Sequence, residues 1–445
     1  MTSSFGTTAG LDALDLHSSL STPTADAMNF LNEIALQYPD AISFAAGRPY
    51  EGFFDTESVH RYLRLFTEYL RTDLGYDERA VRRTFLQYGR TKGIIHELVA
   101  RHLAVDEGIE VDPEDVAVTV GFQEALFLVL RALRGSDQDV ILSVLPTYVG
   151  LLGAAGLVDM PVLGVRSGRD GVDLAHLAEV LARARASGRR PRALYVNPDF
   201  ANPTGATVPF EVRAELLRLA GEQDLLVLED NAYSMFYGDG EPLPSLKAMD
   251  RDRRVVRLGS FAKTGVAGAR VGYVAADQLV AGPGGGQRVF ADELAKVKSM
   301  LTVNTSPIAQ AVIGGKLLAH GCSLRAANVR ERRVYQESLA AMLRELAGHF
   351  PRDRYPDVTW NTPAGGFFLT LTVPFPADDA LLKRCAQQHQ VLWTPLNPFY
   401  GDREPRNEIR LSFSHLRPDE IRDGMVRFAA FVAEQTGRTE PPTAR

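Results

Sequence analysis

The sequence predicts an α/β fold, a mostly parallel seven-stranded sheet covered by helices with a smaller α+β unit after it. Three observations carry this. Seven apolar runs of strand length recur between residues 115 and 276. Helical stretches with apolar residues at three- and four-residue spacings lie between several of them. From about Ser323 the pattern changes.

The strand-like runs are DVAVTV (115–120), DVILSV (139–144), PVLGV (161–165), ALYVNP (193–198), LLVLED (225–230), RVVRLGS (254–260) and VGYVAA (271–276). Helical periodicity marks EALFLVLRAL (124–133), LAHLAEVLARARA (174–186) and EVRAELLRLAGEQ (211–223). Nearly continuous apolar strands alternating with amphipathic helices make a sheet buried on both faces. Beyond Ser323 a long charged helix is expected over 324–350, followed by strands near 358–360, 367–373 and 409–413. The expected organisation is an N-terminal arm and part of the small domain over 1–48, a large domain over 49–322, and a small domain over 323–445. The polar ends, up to about Leu16 and from Gln435, are expected to be loose, and AGPGGGQ (281–287) an exposed turn.

A chain of 445 residues has room for two or three domains at roughly 100–200 residues each. The net charge of −6 argues against a nucleic-acid partner, which calls for a basic face. Cys322 and Cys385 are the only cysteines and lie far apart, so neither a disulfide framework nor a cysteine metal site is expected. The nine histidines form no metal-binding motif. Neither a secretory signal nor a membrane-spanning run is found, and a cytoplasmic location is expected.

Polar motifs follow these strands, where ligands gather in such sheets. After 254–260 comes Lys263; burial lowers a lysine pKa, and a neutral amine attacks aldehydes to form an imine. Ser260 and Arg270 flank it and could share one phosphate. Asp230 ends a strand and is followed by Tyr233; an acid there can hold a pyridinium nitrogen protonated, and the tyrosine can bond the ring's phenolic oxygen. Asn202 lies in NPTG, Gly121-Phe122-Gln123 open a helix whose free amides suit a phosphate, and Tyr148 offers a ring for stacking. Taken singly, each has an ordinary reading: a surface lysine, a helix cap, a turn or core packing. Their order, each after a successive strand, is what chance does not supply.

This ordered set resembles the class I/II aminotransferases, the fold-type-I enzymes of pyridoxal 5′-phosphate (PLP). The resemblance runs from AISFAAGRP (41–49) to NEIRLSF (407–413), and is most specific in ANPTG, LEDNAY, GSFAKT followed by GARVGY, and PAGGFF. It implies that Lys263 is the Schiff-base lysine and proton shuttle, that Asp230 pairs with the pyridine nitrogen, and that Asn202 and Tyr233 hold the ring oxygen. It implies further that Tyr148 stacks on the ring, while Gly121, Phe122, Gln123, Ser260 and Arg270 surround the phosphate. Arg410 would grip the substrate α-carboxylate, and Gly47 would line the substrate site. Tyr88 would reach the phosphate across a dimer interface, so a homodimer is implied.

Three departures stand out. Phe122 replaces a serine or alanine. GRTKGIIHEL, with His96 and Glu97, replaces the commoner G-x-T-x-G-x-x-x-L-R. Arg48 either faces the substrate side chain or forms a surface salt bridge, the commoner fate. The stretch MNFLNEIALQYPDAISFAAGRPYEGFFD more narrowly resembles the arylglycine transaminases of glycopeptide-antibiotic pathways, which make hydroxyphenylglycines from keto acids. Tyr50, Phe53 and Phe54 would then line an aryl pocket or pack the small domain. Two rivals are weighed. A lyase, decarboxylase or amino-acid oxidase on the same scaffold would not form pyridoxamine phosphate from an amino donor. A PLP-binding transcription factor needs a DNA-binding module, and only about forty residues with no basic helix precede AISFAAGRP.

Overall fold

The seven expected strands form one sheet in the computed structural model, which describes residues 10–12, 15–22, 33–168, 171–238, 240–282 and 285–438. They are β1 (Val116–Thr119), β2 (Asp139–Leu145), β3 (Val162–Arg166), β4 (Arg190–Val196), β5 (Leu226–Asp230), β6 (Val255–Ser260) and β7 (Gly272–Ala275). Their order across the sheet is β1-β7-β6-β5-β4-β2-β3. Strand β7 is antiparallel to β1 and β6, and the other pairs are parallel.

Period-two alternation divides these strands between two apolar layers. Ala117, Ile141, Ala193 and Leu228 pack on one side against helix α2 (Gly121–Leu133). Leu142, Leu194 and Val227 enter the layer on the other side. There Val116 and Val118 meet Phe66 and Leu70 of helix α1 (Thr56–Thr72) and Ile313 of helix α3 (Pro307–Ala319). Burial on both faces is why the strands read as continuous apolar runs.

A second sheet comprises β8 (Thr359–Trp360), β9 (Phe368–Ala377), β10 (Thr394–Pro395) and β11 (Arg406–Ser412), in the antiparallel order β8-β9-β11-β10. Helices α4 (Val329–His349) and α5 (Pro418–Gln435) cover it, with Met342, Leu346, Phe428 and the fully buried Trp393 in its core. Each such large apolar side chain contributes roughly 1.5–3 kcal/mol by leaving water. Ile34 and Phe44 join this core, and Ile42–Ser43 pairs in parallel with Val391–Leu392. The N-terminal segment is therefore built into the second unit.

The single helix expected over 324–350 is two. A short one, Leu324–Ala327, is separated from α4 by Asn328, whose amide donates to the carbonyls of Leu324 (2.8 Å) and Thr264 (2.9 Å). Leu279–Ala281 and Gln287–Val289 form an antiparallel hairpin around the expected glycine-rich turn, whose residues 283 and 284 lie outside the described residues. Residues 1–9 and 439–445 of the two expected loose ends also lie outside them.

Helices α1 and α3 cross at a glycine pair. A Cβ on Gly315 would stand 2.0 Å from the backbone oxygen of Tyr62, and one on Gly314 would stand 2.7 Å from the Phe66 ring. The first contact is with backbone and cannot be relieved by a rotamer. Gly315→Ala is therefore expected to destabilise the fold by about 1–3 kcal/mol despite alanine's better helix propensity, as read by urea unfolding. An unchanged midpoint would show that the helices separate freely.

Candidate active site

The parallel strands end at one edge, and the polar motifs collect there. Asp230 is the last residue of β5, Asn202 follows β4, Tyr148 follows β2, Gly121 follows β1, and Lys263 lies three residues past β6. Because β7 runs the other way, its amino end brings Arg270 to this same edge; Gly272 pairs with both Thr119 and Ser260.

Adjacent acids at the end of β5 face opposite sides. Glu229 points away from the cluster, accepts the amides of Leu246 (2.7 Å) and Lys247 (3.0 Å), and lies 3.8 Å from the buried Arg257. Asp230 points into it. Its Oδ2 accepts the Tyr195 hydroxyl at 2.5 Å, while Oδ1 is buried without a partner. Burial pushes this carboxyl up to about 6, against the lowering effect of the Tyr195 bond.

Lys263 donates to the carbonyl of Gly47 at 2.7 Å. Burial first, and then the positive charges of Arg410, Arg270 and Arg48, push its amine down to about 8. Gly47 has no room for a side chain, since a Cβ would lie 2.2 Å from the Phe368 ring. The Tyr233 ring stands edge-on to Phe367 and Phe368, at 5.2 and 5.6 Å, and burial holds its hydroxyl protonated beside Asn202.

Arg410 comes from β11 of the second sheet. Its guanidinium donates to Asn202 Oδ1 (2.6 Å), to the Ala45 carbonyl (2.7 Å) and to Thr394 (3.3 Å), and lies over the Phe368 ring at 4.3 Å. Its Nε is buried and unpartnered, and among the described residues no carboxylate pairs with it. Burial lowers its pKa to about 10. A buried arginine without a counter-ion is a receptor for an anion.

At the far end, Gly121 has φ +70°, and a Cβ there would stand 2.8 Å from the Arg270 guanidinium. A Cβ on Gly272 would stand 2.6 Å from the Gly121 carbonyl carbon and 2.7 Å from the Phe122 nitrogen. No side chain caps α2, so its first amides are open to an anion. Ser260 Oγ accepts the amide of Ala262 at 3.1 Å. The Gln123 side chain turns to Gly150 O (2.6 Å) and the Tyr148 hydroxyl (3.5 Å), and the Phe122 ring packs edge-on against Tyr148 at 6.1 Å.

Not every expected residue joins this cluster. Tyr88 stands apart within the chain, 79% exposed, beside Arg83, Arg90 and Glu97. Arg48 is exposed, and the salt bridge weighed for it is not formed among the described residues; Ser414 holds its carbonyl at 2.6 Å. Its charge, after burial, pushes the neighbouring His415 imidazole down to about 4. The departure at GRTKGIIHEL is a charged clasp: Arg90 pairs with Glu114 (2.8 Å) and contacts His96 (3.0 Å), Lys92 pairs with Asp292 (2.6 Å), and Glu97 is exposed. Tyr50 packs at the margin of the aromatic cluster that holds Tyr233 and Tyr335 and meets the Phe53 ring edge-on at 5.3 Å, Phe53 lies under Arg330 at 4.1 Å, and Phe54 is 64% exposed. Sequence reasoning missed Tyr195 and Thr394. A tyrosine inside an otherwise aliphatic buried strand, beside the strand that carries the acid, was the available signal for Tyr195.

The cleft thus offers a weakly basic amine, one free carboxylate oxygen and a guanidinium awaiting an anion. Lysine is nucleophilic only when neutral, so Lys263 reactivity is expected to rise with pH and be half-maximal near pH 8. Labelling with an amine-reactive probe across pH, read at this residue by mass spectrometry, measures it. A midpoint near pH 10.5 would contradict the burial and charge argument.

Comparison with known proteins agrees with this geometry. The family described as aminotransferase class I and II matches residues 72–428. The chain is 52% identical over 441 residues to (S)-3,5-dihydroxyphenylglycine transaminase of Amycolatopsis orientalis, covering 99% of this chain and 98% of that protein. It is 33% identical to 2-aminoadipate transaminase of Thermus thermophilus, over 88% and 90% of the two chains. The crystal structure of kynurenine aminotransferase from Pyrococcus horikoshii superposes with a TM-score of 0.79 at 27% identity, covering 94% of this chain and 97% of that one. With its fold-type-I architecture and the match along most of its length, the chain belongs to the class I and II aminotransferases.

Proposed function

We propose that this aminotransferase holds PLP in the cleft at Lys263 and moves an amino group between an aromatic arylglycine, of the hydroxyphenylglycine type, and a 2-keto acid. The observation that carries the reading is the set of unmet partners around one space: Asp230 Oδ1, the Arg410 guanidinium and the lowered amine of Lys263. These match a protonated ring nitrogen, a carboxylate and an aldehyde carbon. The substrate class follows the name of the 52% identical relative.

In this reading Asp230 pairs with the ring nitrogen, and Asn202 and Tyr233 hold the ring oxygen. Tyr148 stacks on the ring. The first amides of α2 at Gly121, Phe122 and Gln123, with Ser260 and Arg270, hold the phosphate. Bound there, the cofactor supplies an electron sink for the pair left when a Cα proton departs. Arg410 would fix the substrate carboxylate and so orient the Cα proton for Lys263. Lys263 Nζ would take the proton from the substrate Cα and return it at C4′, the former aldehyde carbon of the cofactor. Gly47 and Arg48 border the substrate. The aromatic wall of Tyr233, Phe367 and Phe368 excludes water and suits an aryl side chain.

The reading extends to a homodimer in which Tyr88 reaches the partner's phosphate. In support, Leu86, Tyr88 and Met300 are 76%, 79% and 82% exposed, which is costly for apolar groups facing water. We take residues 49–322 as the cofactor domain, with 1–48 and 323–445 as arm and small domain. A cytoplasmic enzyme supplying arylglycines for peptide antibiotics fits the narrower resemblance. Among the described residues no helix is long and apolar enough to cross a membrane.

The test is absorbance spectroscopy of the PLP-loaded protein with (S)-3,5-dihydroxyphenylglycine, hydroxyphenylglycine, tyrosine and glutamate, each without a second keto acid. Stoichiometric pyridoxamine phosphate and keto acid are expected, fastest with an arylglycine. Release of ammonia or carbon dioxide instead would point to a lyase, oxidase or decarboxylase. Lys263→Ala should abolish turnover while some PLP still binds noncovalently. Arg410→Lys, which loses the bidentate fork, should raise KM roughly 10- to 100-fold in steady-state kinetics.

A further inference from the structure

We propose that Tyr195 is a positioning residue for the cofactor: its hydroxyl fixes one carboxylate oxygen of Asp230, so that the other alone faces the ring nitrogen. The inference rests on the role given to Asp230 above.

Tyr195 lies within β4, 2% exposed, and pairs in register with Leu228 of β5, two residues before Asp230. Packed in the apolar layer with Ala193, Leu228 and Val256, its ring has no room to turn away. Its hydroxyl donates to Oδ2 at 2.5 Å, the Ala232 amide also acts on this carboxylate, and Oδ1 is buried with no hydrogen-bond partner. A carboxylate held by one oxygen can no longer rotate to share its two acceptors, so the free oxygen has one direction to face. Burial and the Asp230 charge raise the Tyr195 hydroxyl well above its ordinary range, which keeps it a donor at any working pH. The same bond opposes the burial that raises Asp230, and so keeps that group negative. Tyr195 touches neither substrate nor ring in this assignment; it acts through Asp230.

The test compares the affinity of cofactor-free protein for PLP and for 1-deazapyridoxal phosphate, in which carbon replaces the ring nitrogen. Tyr195→Phe removes only the hydroxyl and keeps the ring that packs the core. It is expected to weaken PLP binding about tenfold or more, the scale of one hydrogen bond to a charged group, and to leave the deaza analogue within about twofold. In an Asp230→Asn background the same substitution should leave PLP affinity within about twofold of that background. Equal losses with both cofactors would reduce Tyr195 to a packing residue, and no loss with either would remove it from the site; each overturns the proposal. Failure of the unaltered protein to bind either molecule would instead overturn the reading of the cleft as a PLP site.

Discussion

The cleft depends on a guanidinium that the chain buries without giving it an acid. Arg410 rises from the second sheet and is held by an amide oxygen of the NPTG turn, a backbone oxygen of the N-terminal segment and a hydroxyl of β10. Three parts of the chain, distant in sequence, thus meet at one cation. Neutral oxygens compensate it only in part, and its charge is felt at Lys263, where it adds to burial in lowering the amine. One residue therefore joins the two units, leaves a buried positive charge without an acid and helps lower the lysine amine.

Glycines complete the arrangement by letting backbone and rings approach where a side chain would stand. The Phe368 ring occupies the space beside Gly47, and the start of α2 lies against Gly272. Motifs such as AAGRP and GARVGY are thereby explained in part by exclusion: these positions must stay empty for the lysine's acceptor and the anion cradle to form.

Much of this was legible in the sequence because each motif stood directly after a strand, and strand ends in a parallel sheet share an edge. Asp230, Asn202, Lys263 and Gly121 could be placed on that rule from the sequence alone. Arg410 could not, since it belongs to another sheet and was reached only through resemblance. Tyr195 was missed because a tyrosine in an apolar strand reads as core, and its hydroxyl gains meaning only when the neighbouring strand is in register. The two-residue strand Thr394–Pro395 carries too little periodicity to be read at all. The helix break at Asn328 escaped because the stretch around it is rich in good helix formers; what ends the first helix there is a bond to Thr264, an event of tertiary structure.

That break bears on how the two units can move. The Asn328 amide holds the peptide oxygen immediately after Lys263 and the last turn of the short helix at once. The long helix α4, which carries the second core, starts at this same residue. A swing of α4 about its first turn would therefore have its pivot beside the lysine. A displacement of α4 would thus reach the residue next to the lysine through one hydrogen bond.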